Sequence, residues 1–246
     1  MSKRKTERIR YAIVSDTHGD AIDPRAEREF YEFLDDYQPD KVIHLGDAFD
    51  LRALRRGASD SEAAETLEAD VLAGIEFLRR INPAVWCMGN HDDRLHVIAK
   101  THPKGVVREY AAMVLDRIES AIPETKIIPY GDEAGLVRMA DMLLLHGCRA
   151  NLSTARQIAQ EYNIEGVRHV IQGHVHRFSS ETARTYNQVT GRTMGGLCKR
   201  VMDYNRHRAA TKAHENGWLY GEIVNGRASI NEYKLDTQRE PIHVVC

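Results

Sequence analysis

This chain lacks a cysteine framework. It holds only four cysteines, Cys87, Cys148, Cys198 and Cys246, and no two of them form a Cys-x-x-Cys pair. That spacing argues against a structural zinc knuckle or a dithiol redox motif. Buried free thiols in a reducing compartment are the expectation. Long apolar runs are also lacking, since no segment nears the ~18 consecutive residues of a membrane-spanning helix. The basic start, Lys3-Arg4-Lys5, is followed only by the short apolar run Tyr11 to Val14, too little for a signal peptide. A cytoplasmic chain with no membrane partner is therefore expected. Charge of one sign is scarce too: 34 Lys and Arg stand against 36 Asp and Glu, a net charge of −2. Such a balance provides no global field for a polyanion. Internal repeats and low-complexity linkers are missing, so one domain over residues 1–246 is expected.

Apolar stretches alternate with amphipathic ones. Arg10–Ser15, Lys41–Leu45, Ala84–Met88, Lys126–Pro129, Asp141–Leu145 and Val167–Gln172 read as strands. Helical spacing runs over Pro24–Tyr37 and over Val107–Ile122, with a shorter helix at Leu152–Tyr162. Ser59-Asp60-Ser61-Glu62 is a capping box that opens one long helix reaching Ile81, with Pro83 as its stop. Trp218–Val224 and Ala228–Leu235 form a predicted hairpin around Asn225-Gly226. Strands alternating with helices, followed by antiparallel strands, predict an α/β fold of stacked sheets between helical layers.

Against this background stand five short motifs: Asp16-Thr17-His18, Gly46-Asp47, Gly89-Asn90-His91-Asp92, His146-Gly147 and Gly173-His174-Val175-His176. Each alone is weak. Together they supply carboxylates, imidazoles and one amide oxygen, donors suited to borderline-hard cations. They follow predicted strands, where parallel α/β folds place their chemistry. In an extended strand end, Asp16 and His18 would point to the same side, as would His174 and His176. Glycines ahead of Asp47, Asn90 and His174 would allow sharp turns and close approach.

The ordered motif set resembles the calcineurin-like metallophosphoesterases from residue 9 to about 177. That resemblance implies a four-layer α/β/β/α sandwich with mixed sheets and a two-metal site at the strand tips. Asp16, His18 and His176 would hold one ion, Asn90, His146 and His174 the other, and Asp47 would bridge them. His91 would face the substrate. The chemistry implied is phosphoester hydrolysis by a metal-bridging hydroxide, with His91 assisting the leaving oxygen and Asp92 orienting its neighbours. The mixed O and N donors favour manganese or iron for the two divalent or trivalent ions, with zinc as the alternative. Asp50 reads first as a helix-start carboxylate and second as a residue that positions a ligand. Cys87 and Cys148, beside metal motifs, read as small buried packing residues.

The substrate is less legible. Arg52, Arg55 and Arg56 follow the Gly46-Asp47 motif. Lys199, Arg200, Arg206, Arg208 and Lys212 form a second basic stretch opposed only by Asp203, with Tyr186 and Tyr204 on its flanks. Basic residues with nearby aromatics suit a nucleotide or nucleic acid, and a solvated surface loop is the plainer reading. A phosphodiester is the favoured substrate, with a phosphomonoester or phosphoprotein as the alternative. A catalytically silent scaffold would be expected to lack ligands, and none is missing here. No residue dictates an oligomeric state.

Overall fold

The computed structural model describes residues 7–131, 133–201 and 213–236. Arg206, Arg208 and Lys212 of the basic stretch, with Asp203 and Tyr204, lie outside the described residues, as does Cys246.

Strands β1 (Arg8–Val14), β2 (Lys41–His44), β3 (Val85–Cys87) and β4 (Lys126–Ile128) run parallel in that spatial order. The helices between them are α1 (Pro24–Tyr37), α2 (Asp60–Ala63), α3 (Glu68–Ile81), α4 (Asp93–Thr101) and α5 (Gly105–Ala121). The next strands are β5 (Val137–Met139) and β6 (Met142–Leu145), then helix α6 (Thr154–Glu161) and strands β7 (His169–Gln172), β8 (Ser179–Thr182) and β9 (Thr190–Thr193). The described chain ends in β10 (Gly217–Val224), β11 (Arg227–Ala228) and β12 (Asn231–Lys234).

Two mixed sheets result. The first has seven strands ordered β11-β10-β1-β2-β3-β4, with β12 also on β10, and the second has five ordered β5-β6-β7-β9-β8. Strand alternation explains how they stack. Tyr11, Ile13, Ile43 and Leu45 of the first sheet meet Met142, Leu144, Ile171 and Met194 of the second in one buried cluster. The intervening residues face outward. Val14 and Val42 pack under Phe30 of α1 and Phe77 of α3, while Leu143, Leu145 and Val170 pack under Ile158 of α6. Helices therefore cover both outer faces, and the order of layers is α/β/β/α.

Local signals account for most boundaries. Pro24 opens α1, and the Asp23 carboxylate accepts from the amides of Arg25 at 2.9 Å and Ala26 at 3.1 Å. Asn225 (φ 51°) and Gly226 (φ 79°) both take the left-handed conformation that the tight β10–β11 turn needs. The hairpin keeps one register from β11 through β12, and the Ser229 amide between them still donates to the Glu222 carbonyl at 2.8 Å.

The long helix expected from Ser59 to Ile81 is instead two helices, α2 and α3. The capping box forms as expected, with Ser59 and Glu62 bonding reciprocally. Glu62 also pairs with Arg55 at 2.6 Å, and Glu65 pairs with Arg52 at 2.6 Å. These contacts hold the first turn against the loop after β2, whereas Val71, Ile75 and Leu78 fix α3 in the core. The helix breaks between these two anchors, over residues 64–67.

Candidate active site at the strand tips

The carboxyl ends of strands from both sheets meet at one place. Asp16 and His18 follow β1, Asp47 follows β2, Asn90 and His91 follow β3, His146 follows β6, and His174 and His176 follow β7. The tails of β1 and β2 are laced together, with the Asp16 amide on the Gly46 carbonyl at 2.9 Å, His18 on Asp47 at 3.0 Å and Gly19 on Ala48 at 2.9 Å. The His174 amide reaches across the sheets to Asp16 Oδ2 at 2.9 Å.

The expectation of extended strand ends at the paired motifs is corrected here. Asp16, His18, Asp47, His174 and His176 all have φ between 51° and 62°. This left-handed region costs a residue with a side chain on the order of 1 kcal/mol or more. The cross-strand amide bonds hold it in place. Asp16 and His18 therefore converge in one donor group from a left-handed backbone rather than by strand alternation.

Asp47 is central to the cluster. Its Oδ2 lies 3.3 Å from His146 Nε2 and 3.9 Å from both His18 Nε2 and His91 Nε2. Its Oδ1 accepts the His91 amide at 2.8 Å. On one side, Asp16 Oδ1 lies 3.1 Å from His176 Nε2 and 4.0 Å from His18 Nε2. On the other side, Asn90 Oδ1 lies 3.2 Å from His146 Nε2, and the His174 ring is 5.1 Å from the His146 ring. Asp16, His18 and Asp47 form one group of converging donors and Asp47, His146 and His174 another.

The donors fit cations. His18 Nε2 is buried without a hydrogen-bond partner, and Asp16 Oδ1, equally buried, meets only His176 Nε2 at 3.1 Å, a costly state unless something charged is meant to share them. Burial pushes the Asp47 carboxyl up, yet the imidazoles of His146 and His91 outweigh it and hold it well below the usual carboxylate range. Asp16 is likewise held low, with burial opposing and His176 prevailing. Both carboxylates are therefore ionised and ready to bind metal.

Supporting groups surround this cluster. Asp50 corrects the helix-start reading: it is buried, and its Oδ1 lies 3.1 Å from His18 Nδ1 and 3.0 Å from His91 Nδ1. Burial pushes its carboxyl up, but the hydrogen bonds from His18 and His91 hold it far below the usual range. Asp92 accepts from the Gly89 amide at 2.8 Å and the Phe49 amide at 3.0 Å, tying the tips of β2 and β3 together. Burial, with the charge of Asp47 beside it, pushes Asp92 up to about 7. Asp70 of α3 accepts from the amides of Asp50 at 3.1 Å and Leu51 and so clamps the Asp50 turn. Burial pushes it up to about 6. His44 Nδ1 takes the Gly46 amide at 3.1 Å, leaving Nε2 to donate to Thr17 Oγ1, also at 3.1 Å. Burial depresses this imidazole to about 3, so it stays neutral.

The basic candidates are placed differently. Arg52 forks onto Asp20 at 2.6 and 2.8 Å and also meets Glu65, and Arg55 meets Glu62. Arg56 and Lys199 are exposed and Arg200 is half-buried. Cys87 is buried as expected, whereas Cys148 is exposed because it sits on the loop beyond β6 rather than in the sheet. Two neighbours of the site carry no motif: Cys198, whose Sγ lies 3.3 Å from His176 Nδ1, and His214, whose ring is 4.8 Å from that of His176.

Among the described residues, no helix is long and apolar enough to cross a membrane. The family model described as the calcineurin-like phosphoesterase superfamily domain matches residues 9–204. No curated protein matches the chain. Similar solved structures include a metallophosphoesterase from Sphaerobacter thermophilus at 13% identity, covering 93% of this chain and 89% of that one with a TM-score of 0.49. A phosphoesterase from E. coli is 15% identical over 88% and 89% of the two chains, with a TM-score of 0.40. The NAD nucleotidase of Haemophilus influenzae is 10% identical over 94% of this chain and 56% of that one, with a TM-score of 0.42.

Proposed function

Because the chain belongs to the calcineurin-like phosphoesterase superfamily, we propose that it hydrolyses a phosphodiester of a nucleotide or nucleic acid with two bound metal ions, manganese or iron in type. The observation that carries this reading is the convergence of Asp16, His18, Asp47, His146, His174 and His176 around buried, unpartnered donor atoms. Asp16, His18 and His176 would hold one ion, Asn90, His146 and His174 the other, with Asp47 shared. When bound, such ions supply Lewis acidity, neutralising phosphoryl oxygens and acidifying a water near neutral pH.

The chain's own residues supply orientation and a proton. His91 Nδ1 is engaged by the Asp50 carbonyl at 2.8 Å and Oδ1 at 3.0 Å, which turns Nε2 toward the Asp47 side of the site. In this reading Nε2 hands a proton to the leaving oxygen. Asp92 ties the tips of β2 and β3 together, and Asp70 clamps the Asp50 turn that orients His91.

Charge supports the diester. Arg52 and Arg55, next to the site in sequence, are paired with Asp20, Glu65 and Glu62. A diester carries one negative charge at neutral pH where a monoester approaches two, so it needs fewer cations from the protein. The test is turnover by the Mn²⁺-loaded chain of bis-p-nitrophenyl phosphate, p-nitrophenyl phosphate, a phosphopeptide, and single- and double-stranded nucleic acid. Faster hydrolysis of the monoester or phosphopeptide would overturn the diester assignment. Inertness toward all of them with metal bound would leave a binding scaffold.

A further inference from the structure

Three of the histidines that would hold an ion, His18, His146 and His176, have a partner behind Nδ1, and these three partners are chemically different. Asp50 Oδ1 stands 3.1 Å from His18 Nδ1, the Leu45 carbonyl 2.6 Å from His146 Nδ1, and Cys198 Sγ 3.3 Å from His176 Nδ1. Groups in this place fix the tautomer of a ligating imidazole and aim its other nitrogen. We infer that Cys198 is a positioning residue for the ion that Asp16, His18 and His176 would hold, its sulfur accepting a hydrogen bond from the His176 Nδ1–H so that Nε2 is left as the ligating nitrogen on the Asp16 side. This rests on the two-metal reading above.

The geometry separates positioning from direct ligation. Cys198 Sγ is near enough to His18 and His176 to be grouped with them as a donor. It is Nε2 of His176, however, that lies 3.1 Å from Asp16 Oδ1. The two ring nitrogens point to opposite sides, which places the sulfur behind the ring as seen from that carboxylate. The sulfur is also rigidly mounted. The amides of Leu197 and Cys198 both donate to the Asp16 carbonyl at 3.0 Å, and Asn216 Nδ2 donates to the Cys198 carbonyl at 2.8 Å. Cys198 is only 2% exposed and bridges to Ile22. Carboxylate, imidazole and sulfur thus hang from one hydrogen-bonded unit around Asp16, and a small shift of the sulfur would re-aim the ring.

The experiment is a Co²⁺ titration of the metal-stripped 246-residue chain in competition with a chromophoric chelator, for the wild type, C198A, C198V, C198S and C87A. C198A and C198V, which remove the acceptor, are expected to weaken one of the two ions by about 10- to 100-fold and leave the other unchanged. C198S keeps an acceptor and should recover most of that loss. Cys87 is equally buried but packs between the sheets, so C87A should bind both ions normally despite its lost packing. If C198A does not fold, C198V, close to cysteine in size, gives the same reading. Wild-type affinity for both ions in C198A or C198V overturns the inference while leaving the two-metal reading intact. A sulfur-to-cobalt charge-transfer band in the wild type that vanishes in C198A also overturns it, by making Cys198 a ligand. A wild-type chain that takes up no Co²⁺ overturns the two-metal reading and the inference with it.

Discussion

One methyl group placed at Gly89 should disable the site. A Cβ there would lie 2.1 Å from Asp47 Oδ1, 2.4 Å from the Asp47 amide nitrogen and 2.7 Å from Asp47 Cγ. Ordinary contact begins at 3.4 Å, so Oδ1 would have to retreat by about 1.3 Å. The retreat breaks the 2.8 Å bond from the His91 amide and draws the carboxylate away from His146. The Asp47 backbone cannot give way easily, because its carbonyl and its neighbour's hold the amides of His18 and Asp16. Overpacking of this kind costs roughly 1–3 kcal/mol of stability. A catalytic group displaced by ~1 Å loses on the order of 10²-fold in rate. The assay pairs urea unfolding of metal-free protein with kcat on bis-p-nitrophenyl phosphate in Mn²⁺. Gly105→Ala serves as control, since its Cβ would meet nothing nearer than Arg108 Nη2 at 3.7 Å. That control should keep full activity and gain a few tenths to ~1 kcal/mol. Wild-type turnover by Gly89→Ala would refute the placement of Asp47 at the centre of the chemistry.

Other substitutions separate the roles of the cluster. His91→Ala should retain both ions by metal analysis yet lose about 10²-fold or more in kcat, and unchanged turnover would remove its role in proton transfer. Asp47→Asn should weaken both ions together, whereas loss of one alone would show that the carboxylate is not shared. His44 provides a pH signature. Its folded pKa of about 3 lies below the ordinary 6.5, so the unfolded chain binds the extra proton and stability falls as pH drops from 6.5 toward 3. At pH 4.5 the loss from this group is on the order of 2–3 kcal/mol, and His44→Asn should flatten that part of the stability profile in urea titrations. An unchanged slope in His44→Asn would mean that this imidazole does not resist protonation.

Much of this site was legible because its ligands are punctuated by strand ends. Val14, His44, Leu145 and Gln172 close buried strands whose pattern is plain, and the donors come one to four residues later. The conformation of those donors was not legible. Nothing in Asp-x-His announces a left-handed φ, which is imposed by amide bonds between β1 and β2. Supporting groups were hidden for a similar reason, since they act across sequence distance. Asp50 reaches His91, and Cys198 reaches back to His176. Asp70 did leave a trace. It falls on the buried face of α3 beside Val71 and Gly74, where a carboxylate is out of place unless it meets donors. Strand β5 is only three residues long and α4 buries Leu95 alone, so neither shows a periodic apolar face, and the ion pairs at α2 are encoded by no periodicity.

The central claim is that this cluster holds two ions that share Asp47. It is tested most directly by counting metal in the 246-residue chain after stripping with EDTA and reconstitution with Mn²⁺, alongside phosphoester hydrolysis. Two equivalents per chain, with hydrolysis lost on stripping and restored as the second equivalent binds, is the predicted result. Saturation at one equivalent, or hydrolysis that survives complete removal of metal, would contradict it.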